Sequence, residues 1–147
     1  MSAAMFRWND LLGFDDIAIG RKQVATRKVT AAEIDAFARL SGDLNPLHMD
    51  QEFAAYSPFG QRVAHGLLTA AVVSTAHTAL TGPGFAYVGQ ELRFLGPVFI
   101  DDTITVEVTV VGKKDAKRIL IMDTMVRKQT GEAVLSGLSA LKELRFA

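Results

Sequence analysis

The chain has no cysteine, a single tryptophan, and no excess of either charge, with sixteen basic residues set against sixteen acidic ones. Each shortage removes a class of function. Without cysteine there are no disulfides, thiolate metal sites or thiol nucleophiles, and a reducing cytoplasm fits such a chain. Balanced charge supplies no global field to gather nucleic acid or an anionic membrane surface. No hydrophobic run is long enough to cross a bilayer: the longest, 66–80, is interrupted by Thr69, Ser74, Thr75, His77 and Thr78, and reads as a buried helix. Met1–Asp10 lacks the continuous apolar core of a secretory signal, because Arg7, Trp8, Asn9 and Asp10 arrive too early. Internal repeats, low-complexity tracts and linkers are missing as well. At 147 residues the chain is therefore expected to form one domain with one real core.

What is present falls into two halves. Residues 1–20 read as an irregular lead-in that offers Phe14, Ile17 and Ile19 to the core, and 21–29 as a first strand. Thr30-Ala31-Ala32-Glu33 is a capping box, and Ile34, Phe37, Ala38 and Leu40 follow at helical spacing, which predicts a helix over 31–41. A short helix is expected over 49–56, with Asp50 as its cap and Phe53 and Ala54 turned inward. The central helix begins near Gly66, and its small residues Ala70, Ala71, Ser74 and Ala76 predict a second backbone passing close by. Thr81-Gly82-Pro83-Gly84 breaks it. The period then changes to two, with strands predicted over 87–94, 103–111, 118–127 and 133–144, separated by Gly96-Pro97 and two polar turns. Helices first and an antiparallel meander afterwards make an α+β layer fold.

The stretch richest in chemistry is Ser41-Gly42-Asp43-Leu44-Asn45-Pro46-Leu47-His48. Gly42 tolerates the left-handed backbone that ends a helix, and Pro46 restricts Asn45 to extended or turn geometry. A shaped loop of this kind is able to aim Asp43 and His48 at one spot. On a continuous helix, five residues of separation would splay them by about 140°. Asp and Asn also close turns through their own side chains, and from composition alone a structural turn is the simpler reading. A second polar turn, Ala64-His65-Gly66, shifts that balance by opening the very apolar central helix. One polar turn closing a helix and another opening one are the makings of a cleft.

The run from Phe37 to His48 resembles the signature of the MaoC-like, (R)-specific enoyl-CoA hydratases. Val63-Ala64-His65-Gly66-Leu67-Leu68 is similar to the family's second block, and 87–94 with Gly96-Pro97-Val98 fits its strand region. The likeness extends over about residues 14–144. It implies a single hot-dog domain spanning 1–147, an antiparallel sheet wrapped around the long helix 66–80, and a homodimer or higher homo-oligomer whose sheets join edge to edge. It further implies Asp43 and His48 as the catalytic pair and the Gly66 amide as holder of the thioester oxygen. Asn45 would orient the pair or its water, and Ser74 would support the Asp43 loop.

The implied reaction is reversible hydration of a trans-2-enoyl thioester, on coenzyme A or acyl carrier protein, to the (R)-3-hydroxyacyl thioester. Hydration needs a base for water attacking carbon 3, an acid for carbon 2, and a donor for the charge gathering on the thioester oxygen. A carboxylate, an imidazole and a free helix-start amide match those needs. No metal or redox cofactor is called for, and the sequence shows no evident metal cluster. His65 is either a substrate contact or a turn histidine bonded to backbone, while His77 reads as structural. Lys113, Lys114, Lys117 and Arg118 read as a solvated hairpin tip, with the coenzyme's phosphates as the alternative partner; Arg62 and Arg93 are comparable candidates. Met49, Met122 and Met125 read as core filler. Two other functions compete: a hot-dog thioesterase, and a non-catalytic or heterodimeric acyl-thioester-binding subunit. The first leaves the full Asp-x-Asn-Pro-x-His run without a purpose, and intact Asp43 and His48 count against a non-catalytic role.

Overall fold

Thr30 opens the first helix through both halves of its capping box: its hydroxyl accepts from the Glu33 amide at 3.2 Å, and the Glu33 carboxylate accepts from the Thr30 amide. In the computed structural model, which describes Asn9 and residues 11–147, this helix is α1, Ala31–Ser41. The reading of Met1–Asp10 as lacking a secretory signal falls, Asn9 apart, outside the described residues. Gly42 ends α1 in the left-handed conformation, with φ of 79°. Two further short helices follow, α2 at Pro46–Met49 and α3 at Gln51–Ala55. The turn α2 was not anticipated from sequence. Asn45 and Pro46 explain it, since the Asn45 side chain accepts from the Leu47 amide and Pro46 occupies the first turn, where a missing N–H costs nothing. Asp50 caps α3 as expected, accepting from the amides of Glu52 and Phe53.

The central helix α4 runs Gly66–Thr81. It lies against an antiparallel sheet of five strands: β1 Lys22–Lys28, β2 Phe85–Phe94, β3 Thr103–Lys114, β4 Ile119–Lys128 and β5 Ala133–Glu143. Along β3 the residues Ile104, Val106, Val108 and Val110 are buried, while the alternate residues Thr103, Thr105 and Glu107 are only partly covered. That period of two turns one sheet face to Val73, Ala76 and Leu80 of α4. Burying each such aliphatic side chain is worth about 1.5–3 kcal/mol.

The strand order is β1-β3-β4-β5-β2, which corrects the expected meander. Strands β3, β4 and β5 are consecutive neighbours, but β2 pairs with β5 at the far edge and β1 takes the free side of β3. The eight-residue link 95–102 is long enough to cross the end of the sheet. It is held there by the Ala64 amide donating to the Val98 carbonyl at 2.7 Å and by a bridge between Val63 and Phe99. The β2–β5 contact requires Gly137, because a Cβ there would stand 1.9 Å from the Glu91 carbonyl oxygen.

Other expectations need adjustment at the level of single residues. Phe14 and Ile17 are buried, but Ile19 is exposed, and so is Phe53 beside the fully buried Ala54. Of the small residues on α4, Ala76 is buried beneath the sheet and Ala70 is partly covered, whereas Ala71 and Ser74 face outward. A helix with one side against a sheet hides only that side, so smallness alone did not tell which residues approach a neighbour.

His77 is buried between α4 and β5, with Nε2 2.8 Å from the Ser139 hydroxyl and Nδ1 without a partner among the described residues. Burial pushes its pKa down from 6.5 to about 4, since a proton at Nδ1 would find no acceptor. The depressed value makes His77 an acid liability. Above pH 6.5 both states leave it neutral; as pH falls from there toward 4 the unfolded chain takes up the proton and the folded one does not. His77→Gln, which keeps an N–H for Ser139, should therefore unfold with a flatter pH dependence, sparing about 3 kcal/mol of the loss between pH 6.5 and 4. Denaturant melts across that range measure it, and parallel curves for the two proteins would refute the assignment.

Candidate active site

Three chain segments converge at one end of the molecule. The first is the loop after α1, where the Ser41 hydroxyl accepts from the Asp43 amide at 3.2 Å and the Asp43 carboxylate accepts, through Oδ1, from the Asn45 amide at 3.2 Å. The second is α2, which carries His48. The third is the extended segment before α4, where the Val63 amide donates to the Leu47 carbonyl at 3.3 Å. Together with the link 95–98 they enclose a cavity of about 630 Å³, lined by Asp43, His48, His65 and Gly66 and walled mainly by apolar side chains, among them Phe37, Leu67 and Phe94. That volume suits a small organic ligand.

His48 Nδ1 lies 2.8 Å from the Val63 carbonyl oxygen. A carbonyl only accepts, so Nδ1 carries the hydrogen, and Nε2 of the neutral ring is left with its lone pair. His65 is held in the same way, its Nε2 donating to the Asp43 carbonyl at 3.0 Å. The two imidazoles stack, with ring centroids 3.9 Å apart and planes 29° from parallel, and the Phe37 ring packs tilted against His65 at 4.9 Å. His65 thereby locks both partners, its hydrogen bond fixing the Asp43 backbone and its ring face fixing His48. Of the two readings left open for this histidine, the backbone-bonded one is observed, although the ring also forms part of the cavity wall.

One donor atom each from Asp43, His48 and His65 lies within 4.8 Å of the other two. A single water hydrogen-bonded to two groups at ordinary distances holds them about 4.6 Å apart, and a carboxylate oxygen of Asp43 and a ring nitrogen of His48, within 4.8 Å of each other, are close enough for one water to reach both. The same three residues are the metal-like grouping that sequence did not foresee. One nitrogen of each ring is already committed to a backbone carbonyl, which leaves one nitrogen per ring.

Gly66 is the first residue of α4, and no side chain caps the helix. Among the described residues its amide has no acceptor, so the helix offers this N–H to the cavity with the positive end of its dipole behind it. Glycine leaves the Phe94 ring where it is: a Cβ would stand 2.6 Å from its Cε1, so the ring would have to move.

Two supporting residues behave differently from expectation. Asn45 does not line the cavity; it acts on the pair through the backbone, as the cap of α2. Ser74 does not reach the Asp43 loop within the chain. Eight residues of helix carry it about 12 Å along the axis from Gly66, where it is exposed and makes no hydrogen bond to that loop among the described residues. The proposed phosphate ligands also divide. Lys113 donates to the Phe14 carbonyl at 2.8 Å, and Arg118 is engaged by Glu143 and Asp15; neither lines this cavity. Arg93 is exposed, while Arg62 is tucked beneath the site, bonded to the His48 carbonyl and to Asp35. Sequence reasoning missed Asp35 altogether. Its only signal is a position on α1 facing away from the apolar stripe, which any solvated residue shares.

Known proteins resemble the chain in both sequence and fold. The family model described as MaoC like domain matches residues 16–132. The chain is 38% identical over 127 residues to an (R)-specific enoyl-CoA hydratase from Aeromonas caviae, an alignment covering 86% of this chain and 95% of that protein. It is 41% identical over 101 residues to a 3-hydroxybutyryl-CoA dehydratase from Methylorubrum extorquens, covering 68% of this chain and 64% of the relative's length. Among solved structures, the Aeromonas caviae (R)-hydratase superposes with a TM-score of 0.84 at 37% identity, covering 87% of this chain and 98% of the other. An R-hydratase from Pseudomonas aeruginosa in its unliganded form superposes with a TM-score of 0.83 at 34% identity, covering 92% and 91%. With its helix wrapped by an antiparallel sheet in the hot-dog manner and its two signature blocks meeting at one cavity, the chain belongs to the MaoC-like domain family.

Proposed function

We propose that the chain is a hydro-lyase that reversibly hydrates trans-2-enoyl thioesters to (R)-3-hydroxyacyl thioesters, with coenzyme A or acyl carrier protein as part of the substrate. The observation that carries the reading is the approach of an Asp43 carboxylate oxygen and a His48 ring nitrogen to within 4.8 Å of each other, in an apolar cavity that the start of α4 at Gly66 also lines. With the hydrogen of neutral His48 on Nδ1, its Nε2 and the carboxylate are both acceptors. A bridging water gives one hydrogen to each and turns a lone pair toward carbon 3. As the C–O bond forms, one proton passes to the pair, Asp43 taking it and His48 sharing it. The pair then returns a proton to carbon 2, so the elements of water are added and the pair ends as it began. Negative charge collects meanwhile on the thioester oxygen, where the Gly66 amide and the start of α4 meet it.

The reading calls on no metal or redox cofactor. It carries with it a homodimer joined along sheet edges, supported by the unpaired outer side of β2 and its exposed Tyr87 and Val88, and a cytoplasmic setting, supported by the lack of cysteine. Loss of enoyl-thioester ultraviolet absorbance over a series of acyl-CoA lengths, with chiral analysis of the product, is the test. Formation of the (R)-alcohol at one or more lengths is the expected result. Thiol release without hydration, or no reaction at any length, would overturn the assignment.

A further inference from the structure

We propose that Arg62, with Asp35 behind it, is a positioning residue that sets the distance between the carboxylate and the imidazole; the inference rests on the hydratase reading of the site. Arg62 is largely buried and absent from the cavity wall. Its guanidinium instead joins two of the converging segments. Nε donates to the His48 carbonyl at 2.6 Å, and a terminal nitrogen donates to Asp35 at 2.7 Å. Its own amide donates to the Gln51 side chain at 3.3 Å, just beyond α2.

The elements so joined are those that carry the chemistry. Asp35 sits on α1, whose last turn delivers Asp43. The His48 carbonyl belongs to the residue whose ring faces that carboxylate, and the chain after Arg62 leads in four residues to Gly66. Val63 adds two bonds in the same ladder, its amide to Leu47 and its carbonyl from His48 Nδ1. A planar, permanently charged fork suits this work because it satisfies two acceptors in different directions without losing its proton. Removing it leaves the His48 carbonyl with one partner fewer and frees α1 to shift against α2. Reacting groups displaced by about 1 Å commonly cost about 100-fold in rate.

The test compares purified variants on an enoyl-CoA well below their melting temperatures. Arg62→Gln is expected to lower kcat about 30-fold with KM within about twofold of the parent, and Arg62→Lys, which still reaches one acceptor, to recover most of that loss. Asp35→Ala should lower kcat about tenfold, and the double variant should be no worse than Arg62→Gln alone, because both break one connection. Added guanidinium should restore part of the Arg62→Gln turnover. Three results overturn the proposal: kcat of Arg62→Gln within twofold of the parent; a rise in KM with kcat held, which makes the guanidinium a substrate ligand; or a loss that follows the unfolded fraction and vanishes on cooling. If Arg62→Gln does not fold, the same kcat-against-KM split is read from Arg62→Lys and Asp35→Ala. Asp43→Asn and His48→Gln are measured alongside. Near-normal turnover in those removes the hydratase site itself, whereas their loss beside an unaffected Arg62→Gln removes only the positioning role.

Discussion

Asp43→Asn and His48→Gln are each expected to reduce enoyl-thioester hydration by about 10²–10⁴-fold while leaving the fold intact. The amide oxygen of Asn still accepts the Asn45 N–H that Asp43 now holds at 3.2 Å, so the loop keeps its shape and loses only its proton acceptor. Gln at 48 keeps a side chain of similar size near the Nε2 position but presents no basic nitrogen to the water, and the Val63 carbonyl loses the donor that Nδ1 now supplies at 2.8 Å. In both variants the cavity and the Gly66 amide survive, so KM should change far less than kcat. Near-normal turnover of either folded variant would remove the pair from the mechanism.

The second large effect is expected at Gly66. An alanine Cβ would lie 2.6 Å from Cε1 and 2.8 Å from Cδ1 of Phe94, closer than side chains tolerate. The ring is about half exposed (55%) and swings away more cheaply than α4 shifts. Gly66→Ala should therefore fold with nearly the parental melting temperature and lose about 10–100-fold in kcat, as the displaced ring or helix start spoils the fit around the thioester oxygen. Shortening Phe94 to Ala in the same chain should recover part of that rate. Full activity of Gly66→Ala would show that the first turn of α4 is not part of the reacting wall.

These variants differ in how far their residues were legible beforehand. The shape of the Asp43–His48 loop was legible because its constraints are local, Gly42 stopping a helix and Pro46 stiffening a bend, whereas the pairing of its two reactive side chains came from the family resemblance. Gly66 was legible for a related reason, since a polar turn before an apolar helix leaves orphan amides wherever it occurs. Arg62 was visible only as one basic residue among several. Its burial and its two acceptors depend on α1 and α2 lying side by side, and no spacing along the chain records that. Ser74, which the resemblance assigned to the support of the Asp43 loop, is exposed and makes no hydrogen bond to that loop among the described residues, because eight residues of helix carry it along the axis from Gly66.

The chain by itself determined where its elements begin and end, to within a few residues, the short α2 excepted. Helix α1 follows from a capping box and a left-handed glycine, α4 from an apolar run between polar breaks, and the strands from alternation. Those signals act over one or two turns, so they survive without a partner. Tertiary structure alone decided that β2 crosses to the far side of β5, that His65 stacks on His48, that His77 is held neutral under the sheet, and that a buried guanidinium ties the reactive loops together. Each of these is an energy between segments distant in sequence. It exists only once the chain has closed on itself and excluded the water that would otherwise satisfy the same polar groups.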